Sequence, residues 1–149
     1  MDMKIDATAI AILRHLKDGR KSFKEIADEL SLTENTVRAR VNRLKEEGVL
    51  EIIGMVDPAG IPGHTMVYIG VKLNTMNLVA KGQEFVNLRG VVSVSVVTGR
   101  FDLMLHVLLK EGFGLLEFYT DEVSRIDGIQ AVETFVVYKS YNLRTPYLL

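Results

Sequence analysis

From residue 35 to 45 the chain reads Asn35-Thr36-Val37-Arg38-Ala39-Arg40-Val41-Asn42-Arg43-Leu44-Lys45, with four cations and no acid. On a helix, Val37, Val41 and Leu44 form an apolar stripe at i, i+4 and i+7. Asn35, Thr36, Arg38, Ala39, Asn42 and Arg43 then face outward, with Lys45 extending the basic row. Guanidinium and ammonium groups neutralise phosphates, while amide, hydroxyl and guanidinium groups can hydrogen-bond base edges. Arg40 falls toward the packed side of the helix, a position that suits a brace for the fold. By itself such a run is most simply a solvated helix face, so its meaning depends on the elements that hold it.

Those elements read as two more helices. Ile5, Ala9, Ile12, Leu13 and Leu16 recur at spacings of three and four, predicting a helix from about Ala7 to Lys17 with Asp6 as N-cap and Asp18-Gly19 as its end. Ser22-Phe23-Lys24-Glu25 has the form of a capping box, opening a short helix that carries Ile26, Ala27 and Leu30 inward. Ser31-Leu32 makes a tight turn, Thr33 caps the helix of roughly Glu34 to Glu47, and Gly48 ends it. Three helices, the last two joined by about three residues, form a helix-turn-helix, which places the N-terminal part of the last helix in the major groove of DNA.

After Gly48 the pattern changes. Val49 to Asp57 is a short β-branched run, and Asp57 to Gly63 holds two of the three prolines, as a hinge would. Strands follow at Thr65 to Leu73, Val91 to Thr98, Phe101 to Leu109 and Ala131 to Ser140. Helices are expected at Leu78 to Leu88, with Val79, Phe85 and Val86 on its apolar face, and from Gly112-Phe113 to Ile126. The order βαββαβ is that of a ferredoxin-like sandwich. The fold class is therefore α+β: a helix-turn-helix domain at 1–50, a hinge strand and linker at 51–63, and a sandwich at 64–149.

In the central strands, Val92, Val94 and Val96 alternate with Val91, Ser93, Ser95 and Val97, and Phe101, Leu103, Leu105 and Val107 with Met104, His106 and Leu108. Both faces are partly apolar, and a second copy of the sheet would cover the open one, predicting a homodimer. Gly99-Arg100 between the strands suits a two-residue hairpin with glycine at its first position.

Composition narrows the function classes. The 149 residues carry 18 Lys and Arg against 19 Asp and Glu, 48% are hydrophobic, and cysteine is absent. That balance describes a globular chain rather than a disordered one. It leaves no disulfide framework, cysteine-bound zinc, iron–sulfur cluster or thiol nucleophile. Residues 1–50 hold ten basic and nine acidic residues, Lys4 among them, so the basic run is a local stripe. His15, His64 and His106 lie on separate elements without ligand spacing, so no metal or cofactor is expected. Met55, Met66, Met76 and Met104 read as core fillers. The start, Met1-Asp2-Met3-Lys4, lacks a secretory pattern, and no apolar run reaches membrane length, so a cytoplasmic protein without membrane contact is expected.

Several stretches resemble the Lrp/AsnC (feast/famine) transcriptional regulators over nearly the whole chain. They are Ile5 to Leu13, Phe23 to Thr33, Thr36 to Leu50, Val56-Asp57-Pro58 and Thr98-Gly99-Arg100-Phe101-Asp102. The resemblance implies a non-enzymatic regulator that binds near-palindromic promoter sites on double-stranded DNA. It also implies a homodimer assembling to tetramers or octamers, and a small effector, usually an amino acid, held by the C-terminal domain. Asn35, Thr36, Arg38, Ala39, Asn42, Arg43 and Lys45 would be the DNA-binding residues. Gly99, Arg100, Asp102 and Thr134 would line the effector pocket, backbone amides holding a carboxylate and Asp102 an ammonium group. Arg100 stands where many members carry an acidic or small residue. Two other functions share this architecture. A haem-pathway decarboxylase would need histidine-rich surroundings, which are not evident after Val91, and a DNA-compacting architectural protein would need more positive charge.

Overall fold

The computed structural model describes residues 5–149; Lys4 and the reading of the first four residues lie outside them. The chain separates into two compact units, Met1–Ile53 and Gly54–Leu149.

The first unit holds α1 (Ala7–Leu16), α2 (Phe23–Leu30) and α3 (Glu34–Glu46). Asp6 caps α1 by accepting from the Ala9 N–H at 2.8 Å. Ser22 and Glu25 complete the capping box of α2. Thr33 caps α3, and Gly48, at φ +69°, follows its end. The end of α1 differs from expectation. Gly19 is not left-handed; a further turn, with Asp18 N bonded to His15 O and Lys21 N to Asp18 O, leads into α2. The left-handed residue is Ser31, at φ 54°, whose N–H reaches the last carbonyls of α2 and turns the chain sharply into α3. Ile12, Ile26, Ala27, Val37 and Val41 form the core, flanked by Leu16, Phe23, Leu30, Leu32 and Leu50. Each fully buried aliphatic side chain of this kind contributes about 1.5–3 kcal/mol, which holds three short helices that would not persist alone.

The second unit is an antiparallel four-stranded sheet of order β3-β4-β2-β5, built from β2 (Thr65–Leu73), β3 (Val91–Val96), β4 (Leu103–Leu109) and β5 (Ile129–Val136). Helix α4 (Leu78–Val86) and a segmented helix starting with α5 (Leu115–Glu117) cover one face. Its core joins Val67, Ile69 and Val71 of β2 and Leu103, Leu105 and Val107 of β4 to Phe85, Phe113 and Phe118. A two-stranded sheet, β1 (Met55–Val56) with β6 (Thr145–Pro146), ties the hinge to the C-terminal tail. The tail strand carries no period-2 signal and was not expected from sequence.

Several expectations need correction. The single helix from Gly112-Phe113 to Ile126 is instead an α-turn, a π-turn at Phe118–Glu122 and a 3-10 turn at Val123–Arg125. Phe118 and Val123 are both buried five residues apart, a spacing that a wider turn keeps on one face and an α-helix does not. Thr120 and Ser124 support the change by donating their hydroxyls to Leu116 O and Thr120 O. Val79 and Val86 do not reach the core; they stay exposed beside β3. Val91 lies in the helix-side core with Val94 rather than with Ser93 and Ser95, because the β3–β4 register shifts between Val91 and Ser93. The Gly99-Arg100 turn is longer than two residues: Val97 N bonds Asp102 O, leaving four residues in the loop. Phe101 therefore leaves the row of Leu103, and its ring covers Gly70, where an added Cβ would lie 2.5 Å from it. Met66 is buried, but Met55 and Met76 are exposed and fill no core.

On the face opposite the helices, Met66 and Leu108 are buried while Tyr68, Met104 and His106 are half-buried. Tyr68 and His106 meet edge to face with ring centres 4.2 Å apart. Burial lowers the pKa of His106. Among the described residues no helix is long and apolar enough to cross a membrane, and no group of side chains could hold a metal ion.

Candidate functional site

Helix α3 presents its polar side as the stripe of its buried residues requires. With Val37, Val41 and Leu44 packed inward, Asn35, Ala39 and Asn42 are exposed along the opposite side at spacings of four and three. Arg38 and Lys45 flank this row on one side, Thr36, Arg40 and Arg43 on the other. Asn35, Thr36, Ala39, Arg40 and Arg43 line a shallow concavity. The backbone entering α3 is held by Thr33, whose hydroxyl takes the Thr36 N–H at 3.2 Å and lies 2.8 Å from the Thr36 hydroxyl.

Two of the cations are parked on acids one turn away on the same helix. Arg43 Nε donates to Glu47 Oε1 at 2.8 Å, Arg38 pairs with Glu34 and also lies 5.3 Å over the Phe23 ring. Both arginine side chains remain more than half exposed, so such pairs contribute little and yield readily to a phosphate. Arg40 is different. Its guanidinium bonds Asp6, the N-cap of α1, and so braces α3 against α1. Asp6 is held below the usual carboxylate range by the Ala9 N–H and then by Arg40. A brace not legible in the sequence joins Lys21 Nζ to Glu29 Oε1 at 2.6 Å and to His15 Nδ1 at 2.9 Å.

The four residues expected to line a ligand pocket do not converge. Gly99, Arg100 and Asp102 share the β3–β4 hairpin, and Gly99, at φ +125°, needs to be glycine for its backbone alone. Arg100 Nη2 pairs with Glu133 of β5 at 2.7 Å. Asp102 accepts from Leu73 N and from Lys72 Nζ, each at 2.8 Å, where the β2–β5 register shifts. Thr134 sits opposite Ile69, in the middle of β5, on the helix side of the sheet. Its hydroxyl lies 2.7 Å from Tyr119 OH. Lys72, Glu133 and Tyr119 were not singled out from sequence, because only cross-strand register brings them to these partners.

The Leu73 N–H, and next Lys72, hold the Asp102 carboxyl below its usual range. A lowered carboxylate stabilises the fold above its unfolded pKa, about 3.9, and loses that contribution as pH falls through the folded value. The hairpin anchor is therefore expected to be intact at neutral pH and to loosen only below about pH 4. Amide exchange at Leu73 followed through an acid titration checks this, protection lost at pH 5 or above being the contrary result.

Residues 66–147 match the family described as Lrp/AsnC ligand binding domain, and residues 5–51 that described as winged helix-turn-helix DNA-binding. A relative from Pyrococcus horikoshii, named an uncharacterized HTH-type transcriptional regulator, is 32% identical over 137 residues, covering 91% of this chain and 87% of its own. The structure of Escherichia coli AsnC superposes with a TM-score of 0.72 at 23% identity, over 95% of this chain and 97% of that one. A Neisseria meningitidis transcriptional regulator solved as an L-Met complex gives 0.72 at 20% identity, over 97% and 95%. With an outward polar row on the second helix of a helix-turn-helix and a βαββαβ unit following it in sequence, this chain belongs to the Lrp/AsnC family of transcriptional regulators.

Proposed function

We propose that the protein reads specific promoter sites in double-stranded DNA through α3, acts as a homodimer in the cytoplasm, and changes its assembly or DNA affinity when a small metabolite of the amino-acid class binds. The observation that carries this reading is the exposed row Asn35, Ala39 and Asn42 flanked by Arg38, Lys45 and Arg43 over a fully buried stripe. Asparagine amides suit adenine edges and arginine suits guanine edges or phosphate. The half-buried sheet face around Tyr68, Met104 and His106 supports pairing with a second copy, from which tetramers or octamers would be built. The L-methionine complex of the Neisseria neighbour supports an amino acid as the ligand class. The hairpin of Gly99, Arg100 and Asp102 is the place we assign to it. An incoming ammonium would take over the position of Lys72 on Asp102. Thr134, whose hydroxyl lies against Tyr119 OH on the helix side of the sheet, stays outside that place.

Binding to DNA upstream of the protein's own gene, followed by fluorescence anisotropy with and without the twenty amino acids, tests the whole reading. Affinity is expected to fall steeply between about 50 and 200 mM salt, because the counterions released from phosphates gain less entropy as salt rises. Arg43→Ala should weaken binding to operator and random DNA alike and reduce the salt slope by about 0.9, the share of one phosphate. An unchanged slope would remove Arg43 from the backbone contacts. Asp102→Ala is expected to keep DNA binding and lose the response to the amino-acid mixture. Loss of the dimer on gel filtration would make its bonds to Lys72 and Leu73 its whole role.

A further inference from the structure

We propose that the outer side of α4, with the adjoining part of β3, is a self-pairing surface through which one dimer joins the next, α4 packing against α4 of a second copy. The inference rests on the open-face dimer proposed above and names the surface that extends it. Val79, Gly82, Gln83 and Val86 share one side of α4 at spacings of three and four, and with Val94 and Val96 of β3 they line a groove of about 210 Å³. Val79 is 72% exposed, Val96 51% and Val86 42%, so the groove is apolar and open. Helix α4 covers the side of the sheet opposite Tyr68, Met104 and His106, so both surfaces can be occupied at once.

Gly82 is a second, independent observation. Glycine in mid-helix weakens a helix relative to alanine, and nothing in this chain calls for it. Its backbone is not left-handed, and an added Cβ would meet only Val94, at 4.0 Å. What it supplies is a low floor between Val79 and Val86, where a side chain from another molecule can approach the backbone closely.

The stripe selects a second copy as its occupant, because it is symmetric about a point between Gly82 and Gln83. Two α4 helices running antiparallel across a two-fold axis there set Val79 against the partner's Val86, and Gln83 over the partner's Gly82. The charges agree with this choice. Lys81 and Glu84, the two charged residues of α4, pair with each other at 2.8 Å and do not line the groove. Residues 91–96 of β3 carry no charge. The surface is therefore neutral and matches itself, whereas a basic or acidic peptide would find no counter-charge. A stable protein pair needs about 800 Å² from each partner, more than a single helix stripe offers, so α4 suits the second step of assembly. Each dimer then presents two stripes, and closing a ring makes the last contact intramolecular.

Sedimentation velocity of the full-length protein over a wide range of concentration tests this. The parent is expected to exceed the mass of a dimer. Val79→Glu should stop at the dimer, needing about 100-fold or more protein to go further, because its carboxylate would be buried unpaired. Val86→Lys should do the same. Combined in one chain, the two substitutions should restore assembly in a salt-sensitive form, since the antiparallel register sets the new carboxylate of one copy against the new ammonium of the other. Both positions are exposed, so unfolding midpoints should barely move. A Val79→Glu protein that keeps the parent's mass at every concentration would overturn the proposal; with a dimeric parent, that result would leave the open-face dimer standing. A dimeric parent that Val79→Glu turns into monomers would uphold the pairing of α4 and remove the open-face reading. A double variant no larger than the single ones would overturn the antiparallel contact on which the choice of a second copy rests, and a monomeric parent would overturn both readings.

Discussion

Gly90→Ala is expected to cost about 3 kcal/mol or more of the stability of Gly54–Leu149, combining a left-handed backbone penalty with a broken buried hydrogen bond. Gly90 sits at φ +80° just before β3, and a Cβ built there would lie 2.6 Å from the Leu108 carbonyl oxygen and 3.0 Å from the Phe113 ring. Its own carbonyl accepts from Leu108 N at 2.7 Å, so the backbones cannot part without losing that bond. Leu108 is fully buried and Phe113 belongs to the core, which leaves neither neighbour free to yield. Against a typical domain stability of about 5–15 kcal/mol, such a loss removes a large fraction of the total. Gly82→Ala is the contrasting variant: its Cβ would meet only Val94 at 4.0 Å inside α4, so better helix propensity should stabilise by up to about 1 kcal/mol. Urea unfolding of both measures the difference. A Gly90 variant within about 1 kcal/mol of the parent would mean that β3 shifts freely against β4.

The same glycine shows what the sequence could and could not reveal. The strands and helices of the βαββαβ order stand out because their residues alternate or recur locally. The approach of Gly90 to Leu108 is a tertiary fact with no local signature. Local reading fails where register changes: the bulge that turns Val91 inward, and the four-residue loop that sends Phe101 onto Gly70, both invert a face assignment derived from strict alternation. It fails again where helical period changes, since Phe118 and Val123 sit on one buried face only by way of a π-turn. On α3 the outward residues follow directly from the buried stripe, so the polar row was readable in full. The hairpin residues are adjacent in sequence and were readable as a group, but their partners Lys72 and Glu133 come from strands 30 or more residues away and were not.

Ala39→Glu is expected to reduce operator affinity by about 100-fold or more while leaving the fold in place, because a carboxylate facing phosphates costs several kcal/mol and tenfold corresponds to about 1.4 kcal/mol. Ala39 is exposed midway between Asn35 and Asn42, and glutamate is a good helix former, so the unfolding midpoint should hardly change. The variant separates two meanings of the same surface. If the row is only a solvated face, adding one charge to it is neutral for DNA binding; if it enters the groove, the added charge meets the phosphate field with no water to screen it. Asn35→Ala and Asn42→Ala refine the answer. Each should cost about 1–3 kcal/mol on the operator if its amide makes a bidentate base contact, and far less on random DNA. Equal losses on both DNAs would place these amides on the backbone. An Ala39→Glu protein that binds its operator as the parent does would take α3 out of the groove altogether, leaving Arg38 and Arg43 to their pairs with Glu34 and Glu47.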